Sequence, residues 1–325
     1  MRKKIVRSII ATLICAAAIT TVKAQPQSQY IEYPGFSLGM NFGVADLWGD
    51  VGTKSPITHY TNDKYASNMH YMGGLYVRYV AHPAIAMRLG INYGVLYAND
   101  NWNYALAKAA KTVDDDAYQR WARNQDIKDY TWEGSLLFEI NPFRFDLNSN
   151  AAKRRGQLYF LGGVAAFHFK PMSTYVNRET GASTMVNIYD LNLEGQGVKG
   201  LSGAPPKYEL WQLAIPLGVG YRWDIGEHLG LGIEYIWRMT MTDYLDGVSQ
   251  KYIDPNIFTA TLPADKAIIA KDMYDKSWIV HAGSHAPGEL RGNSSNNDSY
   301  STFSLTFFYK IKNHRHPWWG QGQYF

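Results

Sequence analysis

The chain has a single cysteine, Cys15, and it lies within the first 24 residues. These residues join a basic start, MRKK, to the apolar run IIATLICAAAI and the small-residue ending VKA. This pattern predicts a secretory signal peptide over residues 1–24, cleaved after Ala24. The alternative is an N-terminal anchor helix, for which the apolar run is short. The exported chain then has no thiol, which excludes disulfides and cysteine-ligated metal sites.

Charge is also scarce, at 18% of residues, and aromatic residues are abundant at 14%. The signal peptide holds five basic residues and no acidic one. Its removal leaves 27 basic against 28 acidic residues, a net charge of −1. The calculated pI of 8.8 therefore belongs mostly to the signal peptide, and the exported chain gives no indication of nucleic-acid binding.

Beyond the signal peptide, no run approaches 18 consecutive apolar residues, which argues against a transmembrane helix. The chain instead contains stretches in which apolar and small or polar residues alternate, as in FSLGMNFGV (36–44). A side-chain period of two predicts β-strands. Eight such strands are predicted, over 36–44, 71–80, 84–97, 130–141, 157–169, 208–223, 229–242 and 299–311.

The length and the faces of these segments indicate where their apolar side points. Several run for 12 residues or more, against five or six in a typical soluble sheet. One face is apolar, with aromatic residues near the strand ends, and the other carries glycine, small polar and charged residues. We therefore predict an all-β fold, an eight-stranded antiparallel transmembrane barrel in the outer membrane whose apolar face contacts lipid. A lipocalin-like soluble barrel is the alternative, but it explains neither the length nor the charges.

The connections predict the orientation of this barrel. Those after the first, third, fifth and seventh strands are long, and the others are shorter. Outer-membrane barrels pair long outer loops with short periplasmic turns. We expect a periplasmic N-terminal segment (25–35), the barrel (36–311) and a periplasmic C-terminal tail (312–325). The turn over 142–156 is long and rich in charge, which is typical either of a periplasmic contact or of a solvated turn.

Eight strands enclose an interior just wide enough for side chains to fill. Buried charges need partners, so a plugged lumen with a paired charge network is expected. We predict that Glu234 bridges Arg222 and a basic residue across the lumen, such as Arg88. Pro216, inside a strand, predicts a bulge. By parity, the inward charged residues are Arg78, Arg88, Glu133, Glu139, Arg222, Glu234, Arg238 and Lys310.

Motifs for chemistry are scarce. No nucleotide-binding or hydrolase motif is present. Ser173 and His168 are considered as a hydrolytic pair at one rim of the barrel, but the pair is generic. The pair His281 and His285 has helical spacing but no nearby acidic ligands, so neither a metal nor a cofactor is expected. Residues 100–127 predict one short helix in the second outer loop, and its DDD run predicts a solvated face.

Several motifs resemble one known family. They are NPFRFD (141–146), YFLGGVAAFHFKP (159–171), AIPLGVGYRW (214–223), LGIEYIWRMTMTDYLDGVS (231–249) and RGNSSNNDSY (291–300). The chain resembles the outer-membrane barrel of the Bacteroidota type IX secretion system, the PorG type, and its uncharacterised relatives. This resemblance implies a non-enzymatic role beside a periplasmic ring lipoprotein and the trans-envelope core of that machinery.

Three classes of function stay open at this point. The first is a barrel of the secretion machinery, with outer-membrane lipid and periplasmic secretion proteins as partners. The second is a general structural or adhesive small barrel. The third is a lipid-A-modifying barrel enzyme, for which the sequence offers no clear catalytic group.

Overall fold

The computed structural model describes residues 34–53, 59–60, 68–225 and 228–311. The predicted signal peptide and C-terminal tail, with His314 and His316, lie outside the described residues. These ranges contain ten strands: β1 (Gly35–Trp48), β2 (His70–His82), β3 (Ile85–Asn99), β4 (Asp126–Ile140), β5 (Gly156–His168), β6 (Pro171–Val176), β7 (Ser183–Asn187), β8 (Trp211–Asp224), β9 (Leu229–Thr240) and β10 (Ser299–Lys310).

Eight of these strands close into a barrel, which confirms the predicted fold class. The order around the barrel is β3-β2-β1-β10-β9-β8-β5-β4, and an antiparallel pairing of β3 with β4 closes the ring. The remaining two strands, β6 and β7, form a hairpin that extends from the outer end of β4. Within the described ranges, no helix is long and apolar enough to cross a membrane.

The outward face of the barrel is apolar on every side. Leucine and aromatic side chains dominate it, and Trp211, Leu89 and Phe42 are each more than 60% exposed. The inward positions of the same strands are buried, as the strict alternation of burial along β3 shows. An exposed apolar band around a closed sheet is stable only in lipid, because water would otherwise contact it.

Pro216 does not produce the bulge that the sequence predicts. The pairing of β5 with β8 keeps one register on both sides of the proline, from Gly162 opposite Leu217 to Ala165 opposite Ala214. Pro216 also stays opposite Arg238 on β9 without a shift. The strand therefore tolerates the missing amide hydrogen as a local gap in the ladder rather than as an inserted residue.

The outer loops contain more helix than the sequence analysis predicts. The second loop holds two helices, α1 (Tyr104–Ala109) and α2 (Asp116–Arg123), instead of one. Asp115 caps α2 by accepting a hydrogen bond from the Ala117 amide, and Asn124 ends it in the left-handed conformation. The fourth long loop adds α3 (Asn256–Thr261) and α4 (Ala264–Met273), which the sequence analysis missed.

The main apolar core lies at the loop end of the molecule. We call the loops 49–53, 100–125, 169–210 and 241–298 the outer cap. Buried side chains of the cap, such as Phe258, Leu245 and Met273, form one cluster with Phe167 and Tyr300 from the upper ends of the barrel strands. The cap is therefore a packed layer continuous with the barrel, and the interior changes from apolar at this end to ionic further down.

Candidate functional site

Three arginines converge on one glutamate in the lower half of the lumen. Glu139 Oε2 accepts from Arg78 Nε at 2.6 Å and from Arg222 Nη2 at 2.6 Å, and its Oε1 accepts from Arg88 Nη2 at 2.5 Å. All four side chains are buried. Parity on β2, β3, β4 and β8 points them inward, and the register and stagger of the strands bring them to one level. The charge-assisted bonds to Glu139 thereby link strands on opposite sides of the ring.

Glu234 joins the same network through Arg88 rather than through Arg222. Its Oε2 accepts from Arg88 Nη1 at 3.0 Å, its Oε1 accepts from Arg88 Nη2 at 2.8 Å, and the Tyr159 hydroxyl donates to Oε1 at 2.5 Å. The predicted bridge to Arg222 is wrong. Glu234 lies opposite Gly220 in the register of β8 with β9, and Arg222 turns instead to Glu139.

A second ionic layer lies nearer the cap. Glu133 pairs with the Arg238 guanidinium and also accepts from Asn92 Nδ2 at 2.8 Å and from the Tyr300 hydroxyl at 2.7 Å. The Arg238 guanidinium additionally lies over the Tyr300 ring, 5.1 Å from its centroid. Aromatic faces of this kind supply part of the attraction that water would give to a buried guanidinium.

The periplasmic end of the lumen carries a third cluster, around Asp224. Lys310 Nζ lies 2.8 Å from Asp224 Oδ1, and Arg144 Nη2 lies 3.7 Å from Asp224 Oδ2. Lys310 points inward, as its parity predicts, whereas Asp224 and Arg144 are not among the residues predicted from the sequence. Asp224 has the same parity as Arg222, and extending β8 by one residue beyond 223 would have found it.

The first two layers leave little free space between them. The cavity between Asn41, Arg88, Glu133 and Arg238 measures about 10 Å³. That is about the space of one water molecule. The arrangement can hold the strands of the barrel together, but at this level it offers no path for a solute.

A closed barrel with an apolar outer face and a paired ionic interior is stable in a lipid bilayer and not in water. The protein is an outer-membrane β-barrel. No family model and no curated protein matches the chain.

Solved structures to which the chain is similar include three outer-membrane proteins. Ail of Yersinia pestis, solved with the heparin analogue sucrose octasulfate, is 8% identical with a TM-score of 0.35, covering 86% of this chain and 100% of Ail. Neisserial surface protein A is 7% identical with a TM-score of 0.33, covering 85% and 97%. OprG of Pseudomonas aeruginosa is 10% identical with a TM-score of 0.33, covering 86% and 98%.

Buried arginines hold the cap of this barrel together. Arg123 donates from Nε to Asp100 Oδ2 at 2.8 Å and from Nη1 to the Arg291 carbonyl at 2.7 Å. Arg291 in turn donates to Glu194 Oε1 at 2.7 Å, which links the second, third and fourth long loops. Removing one partner of such a buried pair leaves an uncompensated charge, so these bonds fix the relative positions of the loops.

The serine and histidine that the sequence places near each other do not form a hydrolytic pair. Ser173 donates to Asp126 Oδ1 at 3.0 Å and lies 3.0 Å from Lys276 Nζ, fully buried. His168 packs instead against the Trp211 ring, with centroids 5.2 Å apart. Ser173 and Lys276 thus belong to the packing of the cap.

An acid, an imidazole and a hydroxyl follow one another at the outer end of β1. Asp46 lies 2.9 Å from His59 Nδ1, and the Thr53 hydroxyl lies 2.6 Å from His59 Nε2. Trp48 Nε1 also donates to Asp46, at 2.6 Å. Hydrolases use a chain of this order. Here the same contacts also connect the start of the first loop to β1. This group could not be recognised from the sequence, because Asp46, Thr53 and His59 are close in sequence but form no known motif.

The histidines and aspartates considered as metal ligands do not come together in one site of the described structure. His285 Nδ1 lies 3.1 Å from Asp275 Oδ1, and among the described residues no three histidine, cysteine or carboxylate side chains are arranged to hold a metal. The DDD run takes part in helix formation, with Asp115 as the cap of α2 and Asp116 3.1 Å from Arg120 Nε.

Several carboxyl groups of the cap are held in a poorly solvated cluster. Burial raises the pKa of Asp246 to about 7 and that of Asp243 to about 8. Burial, together with the neighbouring Asp246, also raises the pKa of Asp298 well above its usual range. The pKa of Asp275 shifts in the other direction. Burial raises it, but hydrogen bonds from His285 and Ser277 outweigh burial and lower the pKa to about 2.

These shifts predict how the cap responds to pH. A carboxyl with a raised pKa keeps its proton in the folded cap at a pH where the same carboxyl ionises in the unfolded chain. The stability of the cap therefore decreases as the pH rises from about 4 to about 8. Amide hydrogen exchange in loop 241–298 should therefore be faster at pH 8.5 than at pH 5.5, after correction for the intrinsic rate. Asp246→Asn should reduce this difference, and an unchanged difference would contradict the assignment.

Proposed function

We propose that this protein is a non-enzymatic barrel of the type IX secretion machinery, which anchors the periplasmic ring of that machinery at the outer membrane. The observation that carries the proposal is the filled lumen. Because the Glu139 and Glu234 networks and the Asp224 cluster occupy the interior, cargo does not pass through this barrel. A plugged barrel acts through its surfaces, and the sequence motifs shared with the PorG type support the secretion role.

The periplasmic turn over 142–156 is the surface that suits such an anchor. Phe143 and Phe145 are 47% and 59% exposed, and Arg154 is exposed at the end of the turn, shortly before β5. The turn has a fixed shape, because Gln157 Nε2 donates to the carbonyls of Ala151 at 3.0 Å and Arg154 at 2.8 Å. Two exposed aromatic side chains and an exposed arginine on one turn suit a protein partner with an apolar and acidic surface.

The first experiment is deletion of the gene in its own organism. We expect cargo of the type IX pathway to accumulate in the periplasm and to return to the cell surface when the gene is restored. Secretion that continues unchanged in the deletion strain would contradict the proposal.

Site-specific photocrosslinking then tests the contact surface. A photoreactive phenylalanine analogue at Phe145 should crosslink to a ring lipoprotein or to a protein of the trans-envelope core. The matched control is the same analogue at Leu290, which is 73% exposed in the outer cap. Equal crosslinking at both positions, or at neither, would contradict a contact through this turn.

A second candidate is a surface-binding, adhesive role, and the ordered outer cap favours it. The cap has its own apolar core and buried ion pairs, which a barrel acting only on its periplasmic side does not need. Loss of binding to external surfaces with secretion intact in the deletion strain would select this role over the first.

The third class, a lipid-modifying enzyme, is tested at Thr53. We expect a fluorophosphonate probe to leave the purified barrel unlabelled, because the imidazole behind Thr53 is only 2% exposed and the hydroxyl belongs to a hindered threonine. Mass spectrometry of the intact protein gives the readout. Labelling that disappears in Thr53→Val would show a reactive nucleophile and contradict the non-enzymatic proposal.

A further inference from the structure

Two cavities adjoin one another on the outer side of the cap. The first measures about 350 Å³ and reaches Trp48 and Asn297, and the second measures about 470 Å³ and reaches Tyr252. Asp50, Arg120 and Asn293 line both. The shared wall makes them neighbouring parts of one groove, each within the size range of ligand sites in proteins.

Buried polar groups of the second cavity have unused hydrogen-bonding capacity. Tyr252 is 2% exposed and Arg291 is 3% exposed, and both line the cavity. Neither the Tyr252 hydroxyl nor Arg291 Nη2 has a hydrogen-bond partner among the described residues. Leaving such groups unsatisfied costs free energy, so a bound polar molecule at this position would stabilise them.

The first cavity presents free amides beside an aromatic ring. Asn296 and Asn297 are exposed, and their side chains make no hydrogen bond to any residue that the structure describes. Each amide offers two donor hydrogens and one acceptor oxygen. Trp48 lies on the same cavity, and an aromatic ring beside amides suits a ligand that has polar edges and an apolar face.

The charge of the groove argues against an anionic ligand. Carboxylates of Asp50, Asp114 and Asp116 line the two cavities. The basic side chains already have partners for their charge or their donor groups, and Arg291, whose Nη2 hydrogens stay unused, is ion-paired with Glu194. Arg120 donates to the Asp50 and Gly52 carbonyls, and Arg123 binds Asp100 and the Arg291 carbonyl. A sulfated or phosphorylated molecule would meet these carboxylates without a free cation to balance them.

We infer that the two cavities form a groove for a neutral oligosaccharide. A sugar chain combines many hydroxyls, which donate and accept hydrogen bonds, with apolar ring faces, and it is long enough to occupy adjoining subsites. Asn296 and Asn297 bind one end of the chain, and the Tyr252 hydroxyl and Arg291 bind the other. This inference concerns the outer face of the barrel and is independent of the periplasmic contact proposed above.

The test uses the full mature protein in detergent micelles and calorimetric titration. Three neutral probes are titrated: maltoheptaose, chitotetraose and the neutral fraction of the polysaccharide released by mild acid from the organism's own outer membrane. Heparin is the anionic comparison. Binding of the native polysaccharide alone identifies a ligand from the same cell surface, and binding of maltoheptaose or chitotetraose shows that foreign glycans are accepted.

The variants locate the binding to the groove. Asn296→Ala with Asn297→Ala should weaken binding of the neutral probe by roughly tenfold or more, because two polar contacts are lost. Tyr252→Phe removes one hydroxyl and should weaken it by roughly fivefold. The matched control, Asn101→Ala with Asn256→Ala, changes two exposed cap asparagines that line neither cavity and should leave the dissociation constant unchanged.

Three results would overturn the inference. They are the absence of binding for all three neutral probes, tighter binding of heparin than of any neutral probe, and a Kd in the Asn296 and Asn297 double variant equal to that of the wild type. Each variant is first shown to be folded by its shifted migration on an unboiled gel, so that loss of binding is not loss of the barrel.

Discussion

Glu139→Ala is expected to lower the free energy of unfolding of the barrel by about 3–5 kcal/mol. The change removes the common partner of Arg78, Arg88 and Arg222, and Arg78 and Arg88 bond to its carboxylate at 2.6 Å and 2.5 Å. Three guanidinium groups would then share fewer counter-charges in a lumen from which they cannot reach water. The readout is the temperature at which the folded band disappears on an unboiled gel.

Two further variants make this result specific. Glu209→Ala removes an exposed carboxylate just before β8 and should leave the unfolding temperature unchanged. Glu139→Gln keeps the shape and one of the two acceptor oxygens but not the charge, and its unfolding temperature should fall between those of the parent and Glu139→Ala. If Glu139→Ala unfolds at the parent temperature, the lumen is hydrated and the arginines are solvated.

Glu234→Ala should also lower the free energy of unfolding by about 3–5 kcal/mol. Combined with Glu139→Ala, the total loss should be smaller than the sum of the two single losses. Both carboxylates bind Arg88, so the first substitution already loosens part of what the second removes. The Tyr159 hydroxyl loses its acceptor in the same variant. A double-mutant cycle on the unfolding free energy measures this coupling, and strictly additive costs would show that Arg88 does not join the two carboxylates.

The strands and their faces could be predicted because alternation is a local property. The predicted strand 299–311 became Ser299–Lys310, and the parity of that segment placed Phe303 and Leu305 on the lipid side. The predicted strand 208–223 begins later, at Trp211. Tyr208 stacks on Tyr244 in the cap with ring centroids 4.5 Å apart, a tertiary contact that a period of two does not reveal.

The partners inside the lumen could not be predicted in the same way. Parity assigns Arg88 and Glu234 to the interior, but their contact joins residues 146 apart across the ring. It depends on barrel closure and strand stagger, which no single strand encodes. The helix α4 did leave a signal in the sequence, because Ala267, Ala270 and Met273 repeat every third residue after Pro263.

The filled lumen is the central claim, and single-molecule conductance in planar bilayers tests it most directly. The purified barrel should insert without producing steady conductance steps, because paired side chains and a cavity of only about 10 Å³ between the first two ionic layers interrupt any continuous water path. Stable steps of nanosiemens size, reproduced in independent preparations, would show an open pore and contradict the account.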